Sequence, residues 1–201
     1  MAEALLEECY PDAACSLNYD SAFQLLIATR LSAQCTDARV NIVTTALFAE
    51  FPTAEAMATA PLERVEELIR TCGLYKTKAK DLIGIGKMLI ENYSGVVPDT
   101  IEELTKLPGV GRKTANLVVG DVYGKPAVVT DTHFIRLMNR LGFVNTKDPM
   151  KVETTMRKYL SPEGSSDFCH RAVLHGRYIC TARKAHCEDC CLKTICKGAG
   201  K

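Results

Sequence analysis

Apolar positions recur at the helical period along nearly the whole chain. Leu25, Leu26, Ala28 and Leu31 share one face of a helix that starts near Ser21. Asp37 is placed to cap a second helix carrying Val40, Ile42, Val43, Ala46 and Leu47. Pro61 suits a first helical turn, with Leu62, Val65, Leu68 and Ile69 following before Gly73 ends the pattern. The next helix is predicted over 78–93 and closed by Gly95. Asp99 with Glu102 three residues on resembles a capping box opening a short helix to Lys106. Further helices are predicted over 111–119, 132–141, 149–160 and 167–179, with Asp148-Pro149 a start signal and Gly142 a stop. No segment alternates with period two for long; Val128-Val129 comes nearest and is short. The pattern therefore predicts an all-α fold with short connections. No internal repeat or low-complexity tract interrupts it. The Gly- and Lys-rich tail, residues 197–201, is expected to fray.

A chain of 201 residues can bury about 70% of its unfolded surface and needs no disulfide staples. No apolar run approaches the roughly 20 residues of a membrane span; the stretch from Phe23 to Leu31 is broken by Arg30. The first ten residues are acidic and lack the basic start of a secretory signal, so a cytoplasmic protein is expected. The net charge of +1 hides an asymmetry. Residues 1–100 carry 8 Lys and Arg against 14 Asp and Glu, whereas residues 101–201 carry 17 against 10. A basic C-terminal half suits a surface that tracks phosphates, although segregated solvated charges would give the same count.

Leu107-Pro108-Gly109-Val110-Gly111 separates two helical patterns. Its glycines allow positive φ and a close approach of bare backbone. The free amides of the helix that follows form an anion site suited to a DNA phosphate. A tight helix–helix turn without a ligand would look the same. Lys113 falls in the first turn of that helix, beside Arg112. The positive helix end and the neighbouring guanidinium disfavour a protonated amine there, as a nucleophilic lysine requires. A plain phosphate contact is the simpler role. Asp131, in Val129-Thr130-Asp131-Thr132-His133, begins another helix and is a natural N-cap. Its carboxylate could also stabilise positive charge on a sugar or assist proton transfer. His133 has no evident partner in the sequence.

Ten cysteines are many for a reducing compartment. Cys9, Cys15, Cys35, Cys72 and Cys169 are scattered, mostly among apolar neighbours, and read as buried free thiols. Cys180, Cys187, Cys190 and Cys196, with Cys191 as an extra, crowd into the C-terminal region. Four thiolates in a compact loop suit zinc or an iron–sulfur cluster. A single C-x2-C, where most structural zinc modules have two, favours the cluster modestly. The loop between Cys180 and Cys187 is basic, with Arg183 and Lys184, and is a candidate phosphate clamp.

Together these motifs resemble the endonuclease III family of helix-hairpin-helix DNA glycosylases. The resemblance rests on Leu107-Pro-Gly-Val-Gly-Arg-Lys-Thr-Ala115, Val129-Thr-Asp-Thr-His133, Leu174-His-Gly-Arg-Tyr-Ile-Cys180 and the cysteine spacing, and runs from about Leu6 to Cys196. It implies a two-lobed helix-hairpin-helix fold with a C-terminal iron–sulfur cluster loop. One lobe would be a six-helix barrel over 16–125. The other would join residues 1–15 to 126–201, with the active site in the cleft between them. It also implies Lys113 as nucleophile, Asp131 as its carboxylate partner, and a [4Fe-4S] cluster on Cys180, Cys187, Cys190 and Cys196, leaving Cys191 outside the pattern. The stretch Leu31-Ser-Ala-Gln-Cys-Thr-Asp37 resembles the family's Ser-Ala-Gln-x-Thr-Asp. Gln34 would then fill the gap left by an extruded base, and Leu74 would wedge the opposite strand. The N-terminus looks several residues short of the pattern.

The activity so implied is base-excision repair. An oxidised or ring-saturated pyrimidine is removed, and the strand is cut 3′ to the abasic site by β-elimination through a lysine Schiff base. Leu107, Gly109, Val110, Gly111, Arg112, Arg183 and Lys184 would contact DNA. The partner would be duplex DNA carrying a damaged pyrimidine or an abasic site, bound by a monomer without a membrane, at the nucleoid in a bacterium. A monofunctional adenine or mismatch glycosylase of the same superfamily would lack a lysine at position 113. A non-catalytic DNA-binding module would leave the co-occurrence of Lys113 and Asp131 without a reason.

Overall fold

The computed structural model of the protein describes residues 1–200. Among them the regular structure is helical and no strand forms; one isolated antiparallel bridge pairs Cys180 with Ala185. No helix of the described residues is long and apolar enough to cross a membrane. Two compact units are present, one over Ser16–Tyr123 and one joining Met1–Cys15 to the chain from Gly124 onward. In chain order the α-helices are α1 (Ala2–Cys9), α2 (Ala22–Ser32), α3 (Asp37–Glu50), α4 (Ala54–Ala58), α5 (Leu62–Leu68), α6 (Tyr75–Tyr93), α7 (Ile101–Leu104), α8 (Arg112–Tyr123), α9 (Thr132–Leu141), α10 (Pro149–Met156) and α11 (Ser165–Tyr178).

The unit over Ser16–Tyr123 is built round α2. Phe23, Leu25, Leu26, Ile27, Ala28, Thr29 and Leu31 are all buried, so this helix is covered on every side. It packs against α3, α6 and α8, while α4 and α5 pack on α6. Ser21 caps α2 as the pattern predicts, its Oγ accepting from the Gln24 amide at 3.2 Å. Elsewhere the caps shift by one residue. Thr36, not Asp37, caps α3, and Thr100, not Asp99, caps α7. In both cases two adjacent side chains can accept the same amide, and the threonine is the one that keeps an extended backbone. Helix α6 starts a turn earlier than the sequence predicts, at Tyr75, and closes on Ser94 (φ 53°) before Gly95. Helix α4, capped by Thr53, is too short for its apolar period to register.

In the other unit α11 packs on α9 and on α1. Phe134 and Phe168 meet edge-on at its centre, with ring centroids 6.1 Å apart. Helix α9 matches its predicted span, with Asp131 as N-cap and Gly142 (φ 84°) as C-cap. Helix α10 starts at Pro149 as expected but ends at Met156, and the chain continues to Leu160 in turns. The tail is not frayed at its start. A Cβ at Gly198 would stand 2.9 Å from the Arg140 carbonyl oxygen, so this backbone lies directly on the end of α9. Lys201, included in the expected frayed tail, lies outside the described residues.

One buried ion pair ties α2 to α6. Arg30 Nε donates to Asp81 Oδ2 at 2.9 Å, and its terminal amine reaches the same oxygen. The two side chains are only 11% and 19% exposed. Removing one partner from such a pair leaves the other charge poorly solvated. Asp81→Ala is expected to lower unfolding stability by about 3 kcal/mol, measured by urea denaturation. The double replacement Arg30→Met with Asp81→Leu should lose less, because no unpaired charge remains.

Candidate nucleic-acid interface and metal centre

The hairpin between α7 and α8 is a tight turn in which the Val110 amide donates to the Leu107 carbonyl at 3.1 Å. Pro108 and Gly109 occupy its centre, and Gly109 has φ 67°, the pattern of a type II turn. Leu107 and Val110 are buried and anchor it. Gly109 rests on the Arg30–Asp81 pair: a Cβ there would come within 2.5 Å of Asp81 Oδ2 and closer still to Arg30 Nε. At Gly111 the opposite holds, since a Cβ would meet nothing within 4 Å. Its carbonyl accepts from the Ala115 amide at 3.0 Å and so opens α8. Gly111 carries no side chain to cap the first amides of α8, and bare backbone faces open space. This is the arrangement that receives an anion. Arg112 and Lys113 form the first turn, the former half-buried and the latter exposed.

Gln34 and Leu74 lie in the same unit as the hairpin, and both are exposed with left-handed backbones, φ 56° and 60°. Their loops abut, because a Cβ at Gly73 would stand 3.3 Å from the Gln34 carbonyl oxygen. Lys78, which the sequence reading only placed at a helix start, is fully buried beneath them. Burial pulls its ammonium below the ordinary lysine range. Nearby, burial pushes the Cys72 thiol up to about 11, reinforced by the adjacent Cys35 thiol.

Asp131 belongs to the other unit. Its Oδ1 accepts from the Phe134 amide at 2.7 Å, so the cap uses one carboxylate oxygen and leaves Oδ2 for other chemistry. His133 does have a partner, its Nδ1 lying 3.2 Å from the Arg136 guanidinium. Arg136 also donates to the carbonyls of Gly176 (2.6 Å) and Cys180 (3.1 Å).

Cys180, Cys187, Cys190 and Cys196 all line one small cavity of about 20 Å³, closed by Leu137, Leu141 and Leu192. Burial pushes the Cys190 thiol up, and the neighbouring thiols of Cys180, Cys196 and Cys187 add to the shift. Among the described residues no three metal-binding side chains converge tightly enough for a single ion. The four sulfurs instead surround a shared space. That donor set, soft and rich in sulfur, fits a metal cluster. Arg140 reaches into the wall of the cavity, donating to Cys180 Sγ at 3.1 Å and to the Thr181 carbonyl at 2.8 Å. Behind Cys190 stands the buried His175, with Nε2 3.3 Å from Cys190 Sγ and Nδ1 3.1 Å from the Tyr10 hydroxyl. Cys191 lies on the Nδ1 side of the same ring, at 4.0 Å. Arg183 and Lys184 are exposed on the turn between Cys180 and Cys187. That turn is closed by the Thr181 hydroxyl, which donates to the Lys184 carbonyl at 2.6 Å.

Sequence reasoning missed the Arg30–Asp81 seat, Lys78 and His175. Of the five scattered thiols expected to be buried only Cys72 and Cys169 are, with Cys15 and Cys35 half-buried and Cys9 exposed on the short helix α1. Lys78 did leave a signal, since it falls in helical register with the apolar residues Leu82, Ile85 and Leu89. A lysine on the buried stripe needs internal acceptors.

The chain as a whole is similar to known proteins. A family model described as HhH-GPD superfamily base excision DNA repair protein matches residues 27–162. Endonuclease III of Synechocystis sp. is 44% identical over 196 residues, which cover 97% of this chain and 90% of that protein. Endonuclease III of Bacillus subtilis is 43% identical over 195 residues, covering 96% and 89%. A solved structure of a trapped endonuclease III–DNA covalent intermediate matches with a TM-score of 0.93 at 44% identity, covering 98% of this chain and 93% of that one. This chain therefore belongs to the HhH-GPD superfamily of base excision DNA repair proteins and, within it, to the endonuclease III family.

Proposed function

We propose that this protein is a bifunctional DNA N-glycosylase and abasic-site lyase that removes oxidised or ring-saturated pyrimidines from duplex DNA. One observation carries the reading. Lys113 stands exposed in the first turn of a helix opened by the Leu107–Gly111 hairpin. It does so in a chain 44% identical to an endonuclease III trapped covalently on DNA.

In this reading the amides at the start of α8 take a backbone phosphate, with Arg112 adding positive charge. Arg183 and Lys184 hold a second stretch of backbone. The damaged nucleotide leaves the stack, because its C1′ is unreachable inside it, while Gln34 and Leu74 occupy the gap. The lone pair of Lys113 Nζ attacks C1′. The glycosidic electron pair leaves with the base, which takes up a proton, and the opened sugar becomes an iminium on Nζ. Loss of a C2′ proton expels the 3′ phosphate, and water then releases the lysine. Asp131 Oδ2 stabilises the positive charge that builds on the sugar and assists the proton transfers.

Cys180, Cys187, Cys190 and Cys196 would hold a [4Fe-4S] cluster, supported by family membership and by four thiols bordering one cavity. When bound, the cluster supplies a rigid staple for the basic turn at Arg183 and Lys184, and no chemical step runs through it. In this reading the protein acts as a monomer in the cytoplasm, at the nucleoid.

Borohydride trapping tests the nucleophile. Wild-type protein mixed with a duplex containing thymine glycol should give a covalent protein–DNA band, and Lys113→Ala should give none. Strand cleavage by the variant should fall at least about 100-fold, roughly 2.7 kcal/mol in activation free energy. Base release without a trapped band in the wild type would reassign the chain to the monofunctional glycosylases. Asp131→Asn separates the cap from the chemistry. Asparagine caps about as well as aspartate, so the thermal midpoint should hold while single-turnover base release drops about 100-fold. Iron and acid-labile sulfide analysis should find about four iron atoms per chain. Cys187→Ser should lose both the iron and the visible absorbance, and stoichiometric zinc in the wild type would refute the cluster.

A further inference from the structure

Among the described residues only Gln34, Leu74 and Ser94 combine a side chain with a left-handed backbone. Ser94 is accounted for by the end of α6. Gln34 and Leu74 have no such excuse. The chain turns over Ser32–Cys35, where the Cys35 amide donates to the Ser32 carbonyl at 3.0 Å. Ala33 has φ −58° and ψ 114°, and Gln34 has φ 56°. These are the two central positions of a type II turn, and glutamine sits where glycine is preferred. A type I turn would suit an ordinary residue better. The two turns differ by a rotation of the central peptide of about 180°, which carries the Ala33 carbonyl from one face to the other.

That carbonyl is held. Lys78 Nζ donates to the Ala33 oxygen at 2.7 Å and to the Leu31 oxygen, at the end of α2, at 2.8 Å. Rotating the peptide would pull the Ala33 oxygen away from a fully buried ammonium. The contact therefore favours the turn that makes Gln34 left-handed. Leu74 is the N-cap of α6, and its carbonyl accepts the first bond of that helix from the Lys78 amide at 3.0 Å, a backbone contact that does not depend on the lysine side chain. Leu74 is 58% exposed, a large apolar side chain offered to solvent. Gly73 then closes the two loops against each other at the Gln34 carbonyl. Left-handed non-glycine residues persist only where their surroundings hold them, and they gather at sites of function.

We propose that Lys78 is the positioning residue of the duplex wedge, fixing through its ammonium the turn that carries Gln34, against which the loop of Leu74 closes at Gly73. The two prongs are then one preset unit when the protein meets DNA. The order of insertion loses nothing to loop rearrangement, and the ordering entropy is spent in folding rather than on binding. This inference rests on the reading of Gln34 and Leu74 as the residues that fill the gap in the stack.

The test compares one thymine glycol in two settings, fully paired and inside a mismatched bubble where the stack is already open. Cluster-loaded wild type, Lys78→Met, Gln34→Ala and Leu74→Ala are measured in single turnover. Methionine fills the space of the lysine stem, keeps the backbone amide and removes the donors. Lys78→Met should lower the paired-to-bubble rate ratio about tenfold. With 2-aminopurine opposite the lesion, it should also reduce the fluorescence rise that reports unstacking. Equal loss on both substrates, or an unchanged ratio, overturns the proposal, since a merely structural lysine would not distinguish them. Should Lys78→Met not fold, Lys78→Gln carries the same comparison with a shortened donor. If Gln34→Ala and Leu74→Ala leave the ratio unchanged, the wedge reading itself has failed. If they lower it and Lys78→Met does not, only the role of Lys78 has failed.

Discussion

Every helix end exposes backbone groups that the helix cannot satisfy itself, and the residues proposed to act on DNA gather where that constraint is met. Helix α2 is buried on all sides, so its last carbonyls emerge where water does not reach easily. The ammonium of Lys78 meets them, a cation at the negative end of a helix, and with one further bond it fixes the turn that carries Gln34. Helix α9 satisfies its first amides with Asp131, which puts a carboxylate at a defined place. Helix α8 begins behind Gly111, where a side chain would meet nothing, and Lys113 lies in its first turn.

The open site depends on a closed one beneath it. Gly109 has room for no side chain because the Arg30–Asp81 pair lies directly under its Cα. A charged pair in an apolar unit contributes little net stability. Its planar, hydrogen-bonded surface gives the hairpin a hard seat, with Leu107 and Val110 pinned on either side. The hairpin backbone is thereby preset, and in the proposed function that lowers what phosphate binding must supply.

The cysteine region works on a different principle. Its four proposed ligands lie within seventeen residues, too few to build a core of their own. The walls come instead from α9 and α11: Leu137 and Leu141 line the cavity, Arg136 and Arg140 hold the carbonyls of Cys180 and Thr181, and His175 stands behind Cys190. These contacts surround the sulfurs with donors and apolar surface, the two levers by which a protein tunes a metal group. Residues 1–15 join this unit across more than 160 positions, and Tyr10 on His175 marks the join.

Much of the molecule follows from local rules that the sequence carries in full. Ser21, Asp131 and Gly142 end their helices as read, because a cap needs only a side chain or a φ three or four residues away. Pro108 and Gly109 specify a turn for the same reason. Where two neighbours could both cap, as at Thr36-Asp37 and Asp99-Thr100, the local rule left a choice that the surrounding backbone made. The cysteine spacing singled out four thiols that border one cavity, and the motif round Lys113 carried the family resemblance. Tertiary structure alone decided the partners of charge inside the protein. Lys78 finds its acceptors 47 and 45 positions away, and Arg30 finds Asp81 at a separation of 51. No sequence period links such residues. A buried charge takes whatever acceptor the packing of helices brings to it, and that packing is a property of the whole unit rather than of any segment.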